Sequence, residues 1–154
     1  MSVELIVRNG QRRQKIDLSY FRHLLRHLLK KEFQVREGAL GVTIVASARM
    51  TELNEQFLAH QGSTDVISFD YSEGALAADH IHGELFICVD EAWIQSARYK
   101  TSWQGELLRY VVHGILHLRG YNDQTSRQRS IMKKEEDRIV QALQRQWNFE
   151  GLSP

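Results

Sequence analysis

Two histidines four residues apart are the side chains of this sequence best suited to bind a metal ion. They lie in the stretch His113-Gly-Ile-Leu-His117-Leu-Arg-Gly120-Tyr-Asn-Asp123, whose apolar residues predict a helix. Residues four apart on a helix project from the same face, one turn above the other. Gly120 is expected to end the helix, because glycine readily adopts the left-handed conformation that reverses the chain. Asp123 would then lie beside both imidazoles.

This His-His-Asp set predicts a catalytic metal site. Three protein ligands leave coordination positions open for water and substrate, which is typical of catalytic rather than structural zinc. Metalloproteases with such a histidine pair carry a glutamate directly after the first histidine, as the general base. Gly114 occupies that position and cannot accept a proton, so a metal-dependent peptidase or amide hydrolase is the less favoured alternative. A second alternative is that the two histidines bind no metal and only form hydrogen bonds within the core.

Length and composition are those of an ordinary globular protein. The sequence of 154 residues has 42% hydrophobic and 25% charged residues, which predicts a single domain, residues 1–154, with a substantial core. Its apolar runs are far shorter than the roughly 20 residues of a membrane span, so no membrane association is expected. The single cysteine, Cys88, lies in an apolar strand pattern and is expected to be buried. One cysteine forms no internal disulfide and favours a cytoplasmic location.

Charge is distributed unevenly along the chain. Residues 1–37 contain nine Lys or Arg and four Asp or Glu, and the chain from Arg98 onward contains ten and six. Between Arg49 and Arg98 there is no Lys or Arg, whereas nine acidic residues occur. A polyanion would therefore be attracted only if the two basic ends of the chain converge in space.

Hydrophobic periodicity and capping residues predict four strands and five helices. The predicted strands are 3–8, 40–44, 66–69 and 83–88, and the helices are 17–33, 48–58, 90–99, 102–120 and 125–146. Residues 72–82 are expected to form a loop and residues 147–154 a loosely ordered tail. This order predicts an α+β domain, with a small mixed sheet of about four strands packed with five or so helices around a central metal-binding helix.

Several details of these helices are also predicted. Ser47 and Asp90 are expected to cap the second and third helices. Phe57 is expected to point inward from the second helix, and Trp93 and Ala97 to be packed in the third.

With these motifs in hand, the sequence resembles the YbeY family of bacterial metallo-endoribonucleases. Leu53-Asn54 and Ser63-Thr-Asp-Val-Ile-Ser-Phe69 are similar to the family's Leu-Asn and Thr-Asp-Val-Leu-Ser-Phe segments, and Gly83-Glu-Leu is similar to its Gly-Asp-Ile strand. The stretch from His113 to Tyr121 is similar to the family signature, and Met132 and Glu136 follow it at a spacing compatible with the family.

The resemblance implies a zinc-dependent endoribonuclease that prefers single-stranded RNA. It implies roles in ribosomal RNA processing, particularly 3′-end maturation of the small-subunit RNA, and in ribosome quality control, with ribosomal small-subunit proteins and a GTPase as partners. One Zn²⁺ per chain, or another divalent metal, would be held by His113, His117 and Asp123 and would activate water to attack the phosphodiester. The alternative is a non-catalytic RNA- or ribosome-binding factor with structural zinc, in which Cys88 or a nearby histidine supplies a fourth ligand.

The sequence departs from the family pattern at two positions. The usual third ligand is a histidine, where this chain has Asp123, whose oxygen can bind zinc at about 2.0–2.2 Å. The extra negative charge should raise the pKa of the bound water. Many members also have an arginine where this chain has Leu58. His60 and His82 are candidates for the lost donor. The proton from water would be accepted by the metal-bound hydroxide, by the phosphate itself, or by a neighbour such as His60, His80 or His82.

Overall fold

One mixed sheet and five α-helices form the part of the protein that the computed structural model describes, residues 2–72 and 77–154. The strands are β1 (Ser2–Asn9), β2 (Glu37–Val45), β3 (Val66–Asp70) and β4 (His80–Cys88). The helices are α1 (Leu18–His27), α2 (Ser47–Leu58), α3 (Val89–Tyr99), α4 (Trp103–Leu118) and α5 (Ser126–Gln146). A π-helical turn, Leu28–Glu32, continues α1, and a 3-10 turn, Phe149–Leu152, follows α5. The predicted α+β class with a four-stranded mixed sheet is confirmed.

The sheet has the strand order β1-β2-β4-β3. Strands β1, β2 and β4 are parallel, and β3 pairs antiparallel with β4 at one edge. Because parallel strands share one direction, β1, β2 and β4 all begin at the same end of the sheet, where Ser2 pairs with Glu37 and Glu37 with His80. The outer side of β3 is paired with no other strand among the described residues.

Helix α4 lies across β3 and β4 and is buried along most of its length. Gly114 makes this close approach possible. A Cβ atom at this position would lie 2.7 Å from Leu85 Cδ2 and 3.2 Å from Val66 Cγ2. The residue that replaces the peptidase glutamate therefore faces the sheet, where a glutamate side chain would not fit.

Three helices begin at the residues that the sequence indicates. The side chains of Asp17 and Ser102 accept hydrogen bonds from backbone N–H groups three residues on, at 3.0 Å in both cases. Thr125 and Gln128 form the reciprocal pair of a capping box at the start of α5. At the other end of α4, Gly120 has a φ of +98°, as expected for the residue that reverses the chain.

The predicted caps of α2 and α3 are wrong. Ala46 is the N-cap of α2, and Cys88 is the N-cap of α3. The Asp90 carboxylate instead accepts a hydrogen bond from the Ser47 N–H at 2.7 Å. One carboxylate thus serves the neighbouring helix, because the first turns of α2 and α3 lie side by side.

Two predicted irregular segments are more ordered than expected. Residues 80–82, predicted as loop, extend β4, because β2 continues to Glu37 and pairs with them; residues 73–76 of that predicted loop lie outside the described part. The tail after α5 is not loose. Phe149 and Leu152 are buried in the core, and the Leu152 carbonyl accepts a hydrogen bond from the Asp17 N–H at 2.8 Å.

Three side chains predicted to pack inward are exposed. The buried positions of α2 are Met50, Leu53 and Asn54, so Phe57 lies outside the buried stripe and is 55% exposed. In α3 only Val89 and Ala92 are buried, which leaves Trp93 and Ala97 exposed. Within the described residues, no helix is both long and apolar enough to cross a membrane.

Candidate metal centre

Three potential metal ligands meet at the end of α4. His113 and His117 lie one turn apart, with ring centroids separated by 4.8 Å. Asp123 belongs to the loop that connects α4 to α5, and its Oδ2 lies 3.3 Å from His117 Nε2. One ligand atom from each of the three residues lies within 4.8 Å of the other two, so the group could hold a metal ion.

The geometry fits a small divalent ion bound between these side chains. Two ligand atoms, each about 2.0–2.2 Å from a tetrahedral zinc, lie about 3.3–3.6 Å apart. The distance of 3.3 Å between His117 Nε2 and Asp123 Oδ2 agrees with this value. Among the described residues the group contains three ligands rather than four, which is typical of an open, catalytic site.

Hydrogen bonds orient both imidazole rings toward the shared point. His113 Nδ1 lies 2.7 Å from Glu136 Oε1, and His117 Nδ1 lies 3.2 Å from the Tyr121 carbonyl oxygen. Each acceptor favours the tautomer with hydrogen on Nδ1, which leaves Nε2 free to bind a metal. The Tyr121 carbonyl is placed there by the chain reversal at Gly120.

Glu136 is itself held in place by a second layer of charge. Its side chain is only 7% exposed, and its Oε2 accepts a hydrogen bond from Arg109 at 2.7 Å. Arg109 also donates to Asp137 at 2.6 Å. Burial alone would raise the pKa of Glu136, but the hydrogen bonds from His113 and Arg109 outweigh burial and lower it. Glu136 is therefore a buried carboxylate whose ionised form is favoured beside a potential metal ligand.

The same contact affects the histidine in the metal-free protein. Burial opposes the charged form of His113, but the hydrogen bond and the negative charge of Glu136 outweigh burial and raise the pKa of His113. A carboxylate that binds the imidazole in this way also increases its basicity as a ligand.

Two open grooves meet at the three ligands and differ in charge. The first, which we call the α5 groove, is bounded by Arg129, Met132, Lys133 and Glu136 together with His113 and Asp123. The second, the β3 groove, runs along strand β3 beside both histidines and contains Leu58, Thr64, Asp65, Ser68 and Asp70. The α5 groove thus has two cations, Arg129 and Lys133, beside the carboxylates of Glu136 and Asp123, whereas the described lining of the β3 groove has carboxylates and no Lys or Arg.

The weaker sequence candidates lie elsewhere. His60 is exposed beyond the end of α2, and His82 is exposed on β4 with its ring edge-on to Tyr71; neither lines the α5 or the β3 groove. His80 lies between Glu37 and Asp79. Cys88 is fully buried, and its Sγ contacts Ser63 Oγ at 3.7 Å, so the described structure does not place it among the ligands.

Sequence reasoning missed the roles of Glu136 and Arg109. A usable signal was present, because Met132, Glu136, Ile139, Val140 and Leu143 form one helical stripe and all are buried. An acidic residue within an apolar stripe implies a charged or hydrogen-bonding partner in the core. The partner could not be identified, because the packing of α5 against α4 is a tertiary contact.

The sequence is similar to that of a known protein family. A sequence model of the family described as Endoribonuclease YbeY matches residues 6–144. The chain belongs to the YbeY family. Among its relatives, the Endoribonuclease YbeY of Chlorobium phaeovibrioides is 36% identical over 111 residues, covering 70% of this chain and 72% of that protein. The Endoribonuclease YbeY of Parabacteroides distasonis is 36% identical over 108 residues, covering 70% and 73%.

A solved structure supports the fold of this YbeY family member. The solution structure of TM1509 from Thermotoga maritima matches with a TM-score of 0.67 and 25% identity, covering 93% of this chain and 91% of that one. Within the chain, both departures from the expected YbeY pattern lie at the site. Asp123 contributes the third potential ligand atom, and Leu58 lines the β3 groove.

Proposed function

We propose that this chain is a zinc-dependent endoribonuclease that cleaves single-stranded RNA. The observation that carries the proposal is the open group of His113, His117 and Asp123 in a chain of the YbeY family, whose relatives are named endoribonucleases. The resemblance extends the proposal to ribosomal RNA processing, including 3′-end maturation of the small-subunit RNA, and to ribosome quality control in the cytoplasm. Ribosomal small-subunit proteins and a GTPase are the proposed partners.

In this proposal, His113, His117 and Asp123 hold the metal through two imidazole nitrogens and one carboxylate oxygen. When bound, a zinc ion lowers the pKa of water toward neutrality and offsets the negative charge that develops on the phosphodiester. Glu136 keeps the His113 ring in its binding orientation, and the Tyr121 carbonyl does the same for His117.

The RNA phosphate is expected to approach from the α5 groove. Arg129 and Lys133 line this groove and are exposed, so they can attract a phosphate oxygen. Lys133 also pairs with Asp137 at 3.1 Å, so Arg129 is the cation of the two that forms no salt bridge among the described residues. Arg129 donates to the carbonyl of Asp123 at 3.2 Å, which ties this cation to the ligand loop. The β3 groove, with Asp65 and Asp70, would repel the same phosphate.

Asp65 is the proposed acceptor for the proton that the attacking water loses. It lines the β3 groove beside both histidines, and its charge contributes to the raised pKa of His113. Its Oδ1 accepts a hydrogen bond from the Val66 N–H at 2.7 Å, which fixes the carboxylate near the ligands. Gly114 provides no such group, and His60, His80 and His82 line neither groove.

The direct test compares metal-free and zinc-loaded protein on single-stranded RNA and on casein. Wild type should cleave RNA only after zinc is restored, and should leave casein intact. His113→Ala and His117→Ala should lose zinc and cleavage together, whereas His23→Ala, an exposed histidine on α1, should retain both.

Asp65→Asn separates the catalytic step from metal binding. It should bind zinc as wild type does but cleave RNA at least about 100-fold more slowly, which is the usual scale of general-base catalysis. Hydrolysis of casein would instead favour the peptidase alternative. A zinc-loaded wild-type protein that binds RNA without cleaving it would favour the binding-factor alternative.

A further inference from the structure

A large groove lies at the end of the sheet where the parallel strands begin. It lies between the π-helical turn after α1, the first residues of β1 and β2, the residues before β4, and the end of α4. Four cations line it: Lys30, Lys31, Arg36 and Arg119. We call this the basic groove. Its volume of 1120 Å³ exceeds the about 300–1,000 Å³ of typical small-molecule sites, so it suits a chain segment better than a metabolite.

The charges in the basic groove are segregated. Its two carboxylates, Glu37 and Asp79, both face His80, whose ring nitrogens lie 2.9 Å from each. Among residues 2–72 and 77–154, none of the four cations forms a salt bridge. Lys30, Lys31 and Arg36 are exposed, while Arg119 donates to the carbonyls of Ala78 and His80. The groove therefore presents positive charge that the described protein leaves without a carboxylate partner.

These cations come from the two basic ends of the sequence. Lys30, Lys31 and Arg36 belong to the first 37 residues, and Arg119 belongs to the segment after Arg98. The convergence that a polyanion site requires thus occurs here. Arg119 follows the potential ligand His117 by two residues in the chain, so the end of α4 contributes side chains both to the metal centre and to the basic groove.

We propose that the basic groove binds the phosphate backbone of single-stranded RNA beyond the cleavage site. The proposal rests on the proposed nuclease function and adds the path of the substrate to it. Electrostatic tracking of the backbone by a positive groove is the general mode of single-strand binding. The half-buried Phe33 in the same groove is an aromatic side chain of the type on which bases stack. The β3 groove lacks Lys and Arg and cannot provide this path.

The test measures binding of labelled single-stranded RNA to the zinc-loaded full chain by fluorescence anisotropy over a range of salt concentrations. Asp65→Asn is present in every protein used for binding, so that the RNA is not cleaved during the measurement, and cleavage itself is assayed without it. A long oligonucleotide of about 16 nucleotides and a short one of about 4 span the usual range of single-strand site sizes. The variant is Lys30→Gln/Lys31→Gln, and Arg36→Gln added to it is a second variant. The control is Arg98→Gln/Lys100→Gln, on exposed residues at the end of α3, which changes the net charge by the same amount as the double groove variant.

Each lost phosphate contact on a single strand reduces the slope of log affinity against log salt by about 0.7. The double variant should therefore bind the long RNA with a slope shallower by about 1.4, and the triple variant by about 2.1. Cleavage of the short RNA and zinc stoichiometry should not change in either groove variant. The slope of the control variant should lie closer to the wild-type slope than the slopes of the groove variants do, on both RNAs.

Unchanged slopes for the long RNA in both groove variants would overturn the proposal, as would an equal loss of slope in the control. The two hypotheses fail separately. If wild type cleaves RNA and the groove variants bind it with the wild-type slope, the basic groove is refuted and the nuclease assignment stands. If zinc-loaded wild type cleaves no RNA but the groove variants still lose slope, the nuclease assignment fails and RNA binding in the groove stands.

Discussion

Substitution of Glu136 tests whether metal binding depends on the buried carboxylate that contacts His113. Replacing Glu136 with alanine removes the acceptor 2.7 Å from His113 Nδ1 and frees the ring to rotate or to adopt the other tautomer. Loss of such a supporting carboxylate typically reduces metal affinity about 10- to 100-fold, which is about 1.4–2.7 kcal/mol. Because the replacement removes both the acceptor and its charge, we expect Glu136→Ala near the upper end of this range.

Glu136→Gln divides the effect into two parts. The amide oxygen can still accept a hydrogen bond from His113, so the tautomer is retained, whereas the negative charge is lost. We expect a loss of zinc affinity of about 10-fold, at the lower end of the same range. Glu135→Gln is the matched control, because the carboxylate of Glu135, the residue next to Glu136, pairs with Arg138 and does not contact the potential ligands.

Zinc affinity should be measured by competition with a chromogenic chelator, and folding of the metal-free variants by urea denaturation. Arg109 keeps Asp137 as a partner in both variants, so we expect stability losses of about 1–3 kcal/mol, less than the about 3–5 kcal/mol of a fully broken buried pair. A folded Glu136→Ala protein with wild-type zinc affinity would refute the positioning role. An equal loss in Glu135→Gln would refute it as well.

Substitutions at three further positions test other parts of the site. Asp123→Ala should lose bound zinc and RNA cleavage together, as measured by metal analysis and a nuclease assay on the same sample. Asp123→His should bind zinc and shift the pH profile of cleavage toward lower pH, because a neutral ligand lowers the pKa of activated water. An unshifted profile would count against Asp123 as a ligand. Gly114→Ala should lower the free energy of unfolding, measured by urea denaturation, by about 1–2 kcal/mol. Overpacking of the new methyl group against Leu85 outweighs the higher helix propensity of alanine. A stabilised variant would contradict this packing argument. Leu58→Arg adds a cation to the acidic β3 groove, which lies off the proposed RNA path, so the salt dependence of RNA binding should keep the wild-type slope. A slope steeper by about 0.7 would instead place the RNA in that groove.

The sequence predicted those features that depend on local spacing. The histidine pair, the chain reversal at Gly120 and the capping box at Thr125 are each set within a few residues, so pattern alone located them. The position of Asp123 beside His117 follows from the same short range. The class of fold could also be predicted, because strands and helices differ in hydrophobic period.

Features that depend on packing between distant elements could not be predicted. The tail after α5 is composed much like a loop, and it is ordered by contacts with distant residues, such as the burial of Phe149 and Leu152 and the hydrogen bond between Leu152 and Asp17. Asp90 caps α2 rather than its own helix, because the starts of α2 and α3 lie side by side. Glu136 lies 23 residues after His113, and no local rule relates the two. The charge segregation of the basic groove has the same origin, since its cations lie far apart in the sequence.

The coordination of zinc in the loaded wild-type protein tests the central claim most directly. A crystal structure with anomalous scattering recorded at the zinc edge would give both the position of the ion and its ligands. We predict bonds from His113 Nε2, His117 Nε2 and one Asp123 carboxylate oxygen, with the remaining positions filled by solvent. An ion bound away from Asp123, or enclosed by a fourth protein ligand, would contradict an open catalytic centre.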